Sequence, residues 1–261
     1  MVQIQAVREE ETVAPLDTIA RFYDIGKQAQ WDAADIPWHL PLVPEHRVSE
    51  RRREVWRSII TQQYQADLYA VQAAAQFIVM AEDHPAQLYY SVMAQDEARH
   101  VEVWSRLAHA FGGPSEFDPY LAEMGAWVIE AQDLELKIIP LQVFFEGMAI
   151  SAFREIADTV PGTVLGDVCH RLAKDDSVHH GFGYAYAQVL LERASPALIR
   201  HINEKLGKFW PLYKAHALWR PKARAWMAGA MKGRDEETLR NRAAFTRRMV
   251  SELGLSFAVE A

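Results

Sequence analysis

Asp96-Glu97-Ala98-Arg99-His100 and Asp175-Asp176-Ser177-Val178-His179 each set a carboxylate three residues before a histidine. On a helix, residues i and i+3 share a face, so each pair can reach one metal ion. One such pair proves nothing. With 10 His and 35 acids in 261 residues, about 1.3 matches are expected by chance. A third does occur, at Asp167-Val168-Cys169-His170.

Spacing separates the matches. Thirty residues before Glu97 stands Asp67, and the midpoint, position 82, falls in the turn-like Glu82-Asp83-His84-Pro85. Thirty residues before Asp176 stands Glu146, and the midpoint is Pro161, inside Val160-Pro161-Gly162. In an antiparallel helical hairpin, residues equidistant from the turn face each other. Both hairpins therefore set two carboxylates at one height. Asp167 lies nine residues before Asp176, and at roughly 100° per residue it faces the other way.

Asp67 sits in Tyr64-Gln65-Ala66-Asp67-Leu68-Tyr69-Ala70-Val71, and Glu146 in Val143-Phe144-Phe145-Glu146-Gly147-Met148-Ala149-Ile150. A carboxylate in such company is costly to bury unless paired or coordinated. Asp67, Glu97, His100, Glu146, Asp176 and His179 are therefore the expected metal ligands and catalytic residues. Four carboxylates and two neutral imidazoles neutralise two divalent cations, and O/N donors without thiolate suit iron or manganese. Asp96 and Asp175 are placed to orient a ligand histidine.

The rest of the chain bounds the setting. Half the residues are apolar and 11% aromatic, enough for a substantial core. Cys169 is the sole cysteine, which excludes an intrachain disulfide and a multi-thiolate zinc site. The N-terminus has no signal-peptide pattern. The longest apolar stretch, Ile138 to Phe153, is interrupted by Gln142 and Glu146 and falls short of a membrane span. A cytoplasmic protein is expected. Residues 1–199 carry 15 Lys/Arg against 29 Asp/Glu, a balance of −14, and residues 200–261 carry 13 against 6, a balance of +7. The basic end reads as a solvated helix pair on an acidic body.

Scarce Gly and Pro and frequent Ala, Gln, Glu and Leu predict helices at about 14–29, 51–81, 86–110, 119–157, 163–193, 197–217 and 236–253. Pro140 predicts a kink or a break inside the fourth. Residues 30–50, with Pro37, Pro41 and Pro44 beside Trp31, Trp38 and Leu40, predict an extended strap packed on the body. The expected architecture is all-α, one domain over 1–261, with the metal-binding bundle at about 51–193 and basic helices at about 197–261.

Asp96-Glu97-Ala98-Arg99-His100-Val101-Glu102-Val103-Trp104 and Phe144-Phe145-Glu146-Gly147-Met148-Ala149 resemble the metal-site helices of ferritin-like di-iron oxidases and oxygenases. Residues 30–38 resemble a stretch before the bundle in some of those proteins. The resemblance spans about 20–190 and implies a four-helix bundle holding two iron ions, Fe/Fe rather than Mn/Fe, with O2 as co-substrate. This chain differs from the usual pattern in having Asp at 67 and 176 where Glu is commoner. The radical-tyrosine position of ribonucleotide reductase small subunits is Trp104 here, which counts against that activity. An iron store usually has a shorter chain and less complete His motifs.

The function expected is thus oxidation of a small, largely apolar molecule by N-oxygenation, hydroxylation or desaturation. An external electron donor and a homodimer go with it, and neither a membrane nor nucleic acid is expected. Ala70, Ala74, Ala149 and Gly183 would leave substrate room among Tyr64, Val143, Phe153 and Trp104. A tRNA-modifying di-iron hydroxylase, suggested by the basic 200–261 end, and a non-catalytic metal-binding protein are the alternatives.

Overall fold

The computed structural model describes residues 14–44, 49–218 and 235–259, and all regular structure among them is helical. The helices are α1 (Ala14–Gln28), α2 (Glu50–Met80), α3 (His84–Ala110), α4 (Pro119–Glu130), α5 (Glu135–Ile138), α6 (Gly147–Thr159), α7 (Val164–Arg193), α8 (Pro196–Leu218) and α9 (Asp235–Glu252). A π-helical segment, Ile139–Glu146, joins α5 to α6 without a break. Helix α2 pairs with α3, and α6 with α7, across turns centred where the spacing predicts. The two hairpins meet along α3 and α7. Helix α1 lies over both, and α4 bridges α2 and α8.

The sequence of α3 explains why polar residues end up central. Its first turns give Tyr89, Tyr90 and Met93 to one apolar cluster, and its last give Val103, Trp104 and Leu107 to another. Helix α7 runs the other way, with Val164 to Ala173 in the second cluster and Phe182 to Leu191 in the first. Asp96–His100 and Asp175–His179 fall in the layer between. Two dry cores thus clamp one polar layer, and burial of rings such as Trp56 and Phe77 at 0% exposure contributes about 1.5–3 kcal/mol each toward holding it.

One predicted helix divides differently. The stretch 119–157 breaks at residues 131–134, not at Pro140. The break contains neither Gly nor Pro. Instead the ammonium of Lys137, 1% exposed, donates to the carbonyls of Val128 and Ile129 at 2.8 Å and to Gln76 Oε1 at 2.6 Å. A lysine therefore caps the end of α4 in place of the next turn of helix. Pro140 lies in the π segment, whose wider turn relieves the clash of its ring with the i−4 carbonyl.

The resulting helix, Glu135–Thr159, is 25 residues long with a hydropathy of 1.4 over its most apolar window, so it is long and apolar enough to cross a membrane, unlike the shorter stretch read from the sequence. Within the bundle 61% of that window is buried. The strap, described to residue 44, packs Trp31, Trp38, Leu40 and Leu42 on the second cluster. The carbonyls of Pro41 and Leu42 accept from Val164 and Leu165 at the start of α7. Five of the basic residues at 200–261, from Arg220 to Arg234, lie outside the described residues.

Candidate metal centre

Glu97 belongs to two sets of donor atoms. Asp67, Glu97 and His100 form one and Glu97, Glu146 and His179 the other, the atoms of each set lying within 4.8 Å of one another. Five of the six expected residues therefore converge, each hairpin arm contributing. Asp176 belongs to neither triad. It is 5% exposed and lines one cavity with Asp67, Glu97 and Glu146. The third motif is elsewhere: Asp167 pairs with Arg171 at 2.8 Å, and His170 is exposed.

The imidazoles are held by a crossed pair of hydrogen bonds. His100 Nε2, on α3, lies 3.0 Å from Asp175 Oδ2 on α7, and His179 Nε2, on α7, lies 3.3 Å from Asp96 Oδ2 on α3. A carboxylate only accepts, so each Nε2 carries the proton and each Nδ1 is turned to the carboxylates. His100 Nδ1 is 3.6 Å from Glu97 Oε2, and His179 Nδ1 is 3.2 Å from Glu97 Oε1 and 3.6 Å from Glu146 Oε1. Asp96 and Asp175 do orient histidines, each the one on the opposite hairpin.

Arg99, whose part the motif spacing does not reveal, ties this layer together. Its Nη2 donates to Asp96 Oδ1 at 2.6 Å and to Asp175 Oδ2 at 3.0 Å, and its Nη1 to Gln30 Oε1 at 2.9 Å. The guanidinium stacks over Trp31 at 4.4 Å, whose indole N–H donates to Asp175 Oδ2 at 2.8 Å. The signal was an Arg inside an otherwise buried stripe; at 7% exposure it must be paired.

Electrostatics give the fit for a cation. Burial and then the charge of Glu97 push the Asp67 carboxyl up, and burial chiefly raises Asp176. Glu146 is pushed up to about 7 by burial, with Glu97 adding to it. Glu97 is the exception: burial would raise it, but the adjoining imidazoles of His100 and His179 hold it down at about 2. Both imidazoles stay above their usual range because neighbours outweigh burial, Asp175 and Glu97 at His100, and Tyr89, Glu146 and Asp96 at His179. Asp67 Oδ2, both oxygens of Glu146 and His179 Nδ1 are buried without a hydrogen-bond partner, the last being close to its neighbours but out of alignment. Unpaired buried donors this near one another fit divalent cations, which neutralise and ligate them together.

Beside this cluster lies a cavity of about 80 Å³ between α2, α4, the π segment and α6. Ala70, Ala149 and Phe153 line it as expected, whereas Ala74, Gly183, Tyr64, Val143 and Trp104 do not. Gly183 serves packing instead: a Cβ there would stand 2.3 Å from Gln142 Cβ. Leu121, Met124 and Val128 of α4, unforeseen, close the outer wall.

No protein-family model matches the chain, and no curated protein does. Solved structures do. An R2-like ligand-binding oxidase with an aerobically reconstituted Mn/Fe cofactor superposes with a TM-score of 0.76 at 14% identity, covering 98% of this chain and 99% of the other. A variant R2-like ligand-binding oxidase with an Fe/Fe cofactor gives 0.74 at 14% identity over 98% and 100%. Dimanganese(II)-NrdF of Streptococcus sanguinis gives 0.70 at 12% identity over 97% and 93%. The chain has the ferritin-like fold of these proteins.

Proposed function

We propose that this chain, built on the ferritin-like fold, is a dinuclear non-haem metal oxidase or oxygenase acting on a small, largely apolar molecule. The observation that carries the reading is Glu97, shared between two triads whose other buried donor atoms include four without partners. Asp67, Glu97 and His100 would hold one ion and Glu97, Glu146 and His179 the other, with Glu97 between them and Asp176 beside them. Two redox-active ions bound there would supply reduction of O2 and oxidation of the substrate.

The protein's own part is positioning. Asp175 and Asp96 hold the Nε2 protons, which fixes both rings with Nδ1 inward. Arg99 neutralises those two acids and keeps them from turning toward the ions. The cavity wall of Leu121, Met124, Leu141 and Phe153 excludes water from the reacting face and favours an apolar guest. The reading includes O2 as co-substrate, an external electron donor and a cytoplasmic homodimer. It takes the pair as Fe/Fe, although the similar structures carry Mn/Fe and Mn/Mn pairs as well.

The test is anaerobic loading with ferrous iron, metal analysis, then addition of O2. About two ions per chain and O2 consumption by the reduced protein are expected. One ion or none would end the dinuclear reading. Two ions without O2 uptake would leave a metal-binding protein.

A further inference from the structure

A second chamber adjoins the cavity, with a volume of about 50 Å³. The two share Gln63, Ala66, Leu121, Phe145, Ala149 and Phe153, a common wall that forms the waist between them. Their ends differ. The inner end is bounded by Asp67, Glu97, Glu146 and Asp176, and the outer end by Gln62 and His216. Gln62 is 4% exposed, and its Oε1 is buried with no hydrogen-bond partner. His216 is fixed from behind, its Nδ1 donating to the fully buried Asp118 at 2.8 Å. A buried acceptor left unmet is unfavourable, and a ligand that brings a donor recovers that cost.

We propose that the outer chamber binds the far end of the substrate by accepting a hydrogen bond, from a hydroxyl or N–H group, at Gln62 Oε1. The substrate class is then an apolar body with one donor at the end remote from the reacting carbon or nitrogen. Its length follows from the helix. Gln62 and Asp67 are five residues apart on α2, ~7.5 Å along the axis, so the two ends of the substrate are offset by at least about that much. Ala66 and Ala149 at the waist leave room for a flat or unbranched body. This rests on the dinuclear-oxidase reading for what happens at the inner end, but the donor site itself needs no turnover.

The experiment measures binding to the full-length, iron-loaded protein kept reduced and without O2, so that nothing is oxidised. The probes are 2-phenylethanol, its methyl ether and ethylbenzene, which differ in the donor at nearly constant apolar body. The alcohol is expected to bind about tenfold tighter than the ether. Gln62→Met, which keeps the volume and removes the unmet acceptor, should erase that gap by weakening the alcohol alone. Ala149→Leu, which narrows the waist, should weaken alcohol and ether alike. The proposal is overturned by equal binding of alcohol and ether to the wild type, by no binding of the alcohol, or by a gap that survives in Gln62→Met. That last result would place the hydroxyl at the metals. Binding undiminished by Ala149→Leu would put the probes outside the passage and overturn it too. Repeating the titration on metal-free protein separates the two ideas. A donor preference that persists in a chain found to hold no iron leaves this site standing while the oxidase reading falls.

Discussion

The hairpin of α2 and α3 is regular α-helix in both arms, whereas the first arm of the second hairpin carries eight π-helical residues that end on Glu146. The irregularity is confined to the side of Glu146 away from the turn. From Gly147 to Thr159 the chain is α-helical again, so Glu146 still faces Asp176 at the height that Asp67 takes against Glu97. The arms differ in satisfaction as well. Asp67 is half-buried with one sealed, unpaired oxygen, while Glu146 is 6% exposed with both oxygens unpaired. The π segment puts a carboxylate in the drier place, and such segments are frequently found at functional sites. Equal spacing therefore sets the height of a carboxylate, while helix type and packing set its surroundings.

The largest effect should come from the residue that the hairpins share. Glu97→Ala is expected to remove both ions, whereas Asp67→Asn and Glu146→Gln should each leave about one per chain. Metal content after anaerobic loading checks this, and a remaining full ion in Glu97→Ala would contradict the shared role. Next come the histidines. His100→Ala and His179→Ala should cut iron affinity severely, while His170→Ala, exposed on the far face, leaves it near normal. Equal losses at all three positions would mean the hairpin register is wrong.

A smaller effect should reveal the crossing. Asp175→Asn sits on the second hairpin but supports His100, so the ion that weakens, by about 10- to 100-fold, should be the one held by Asp67 and His100. Titration with a spectroscopic metal such as Co(II) reads which triad changes. An effect confined to the His179 side would undo the crossed arrangement.

The smallest is a dependence on pH. Glu146, raised to about 7, and Asp67, Asp176, His100 and His179, all raised, favour their protonated forms in the folded metal-free chain. Their contribution is full below the unfolded pKa values and is lost as pH rises through the folded ones. Glu97 and Asp175, both held at about 2, have the opposite sign, but theirs falls away only in acid, below the unfolded carboxylate range. The metal-free protein should therefore melt lower at pH 8 than at pH 6, by at least ~2–4 °C, the shift that 1 kcal/mol makes at this size. Bound metal should remove the trend. A metal-free Tm that climbs over that range would contradict the charge balance described for the site.

Much of the site was legible because it is written in one dimension. The i, i+3 pairs and the two turn-centred spacings of thirty residues placed Asp67, Glu97, His100, Glu146 and His179 together before any fold was known. The helices followed from composition and turn residues, apart from one. The break at 131–134 left no Gly or Pro to read, since the cap comes from Lys137, seven residues past the last turn of α4 at Val128–Glu130. The cavity beside the carboxylates was half-legible. Ala70 and Ala149 were visible as small residues near ligands, but Gly183 looked the same and is filled by Gln142.

Composition and spacing along the chain suffice for a helical fold with its polar residues in one layer, because burying four carboxylates in apolar helices forces them to share a site. Three relations arise only in three dimensions: each aspartate serves the histidine of the other hairpin, Glu97 stands in both triads while Asp176 stands back, and Gln62 lines a second chamber. Those relations depend on how far each helix is rotated and how closely it approaches its neighbour. Packing across the bundle sets both, and residue spacing along one helix does not encode them.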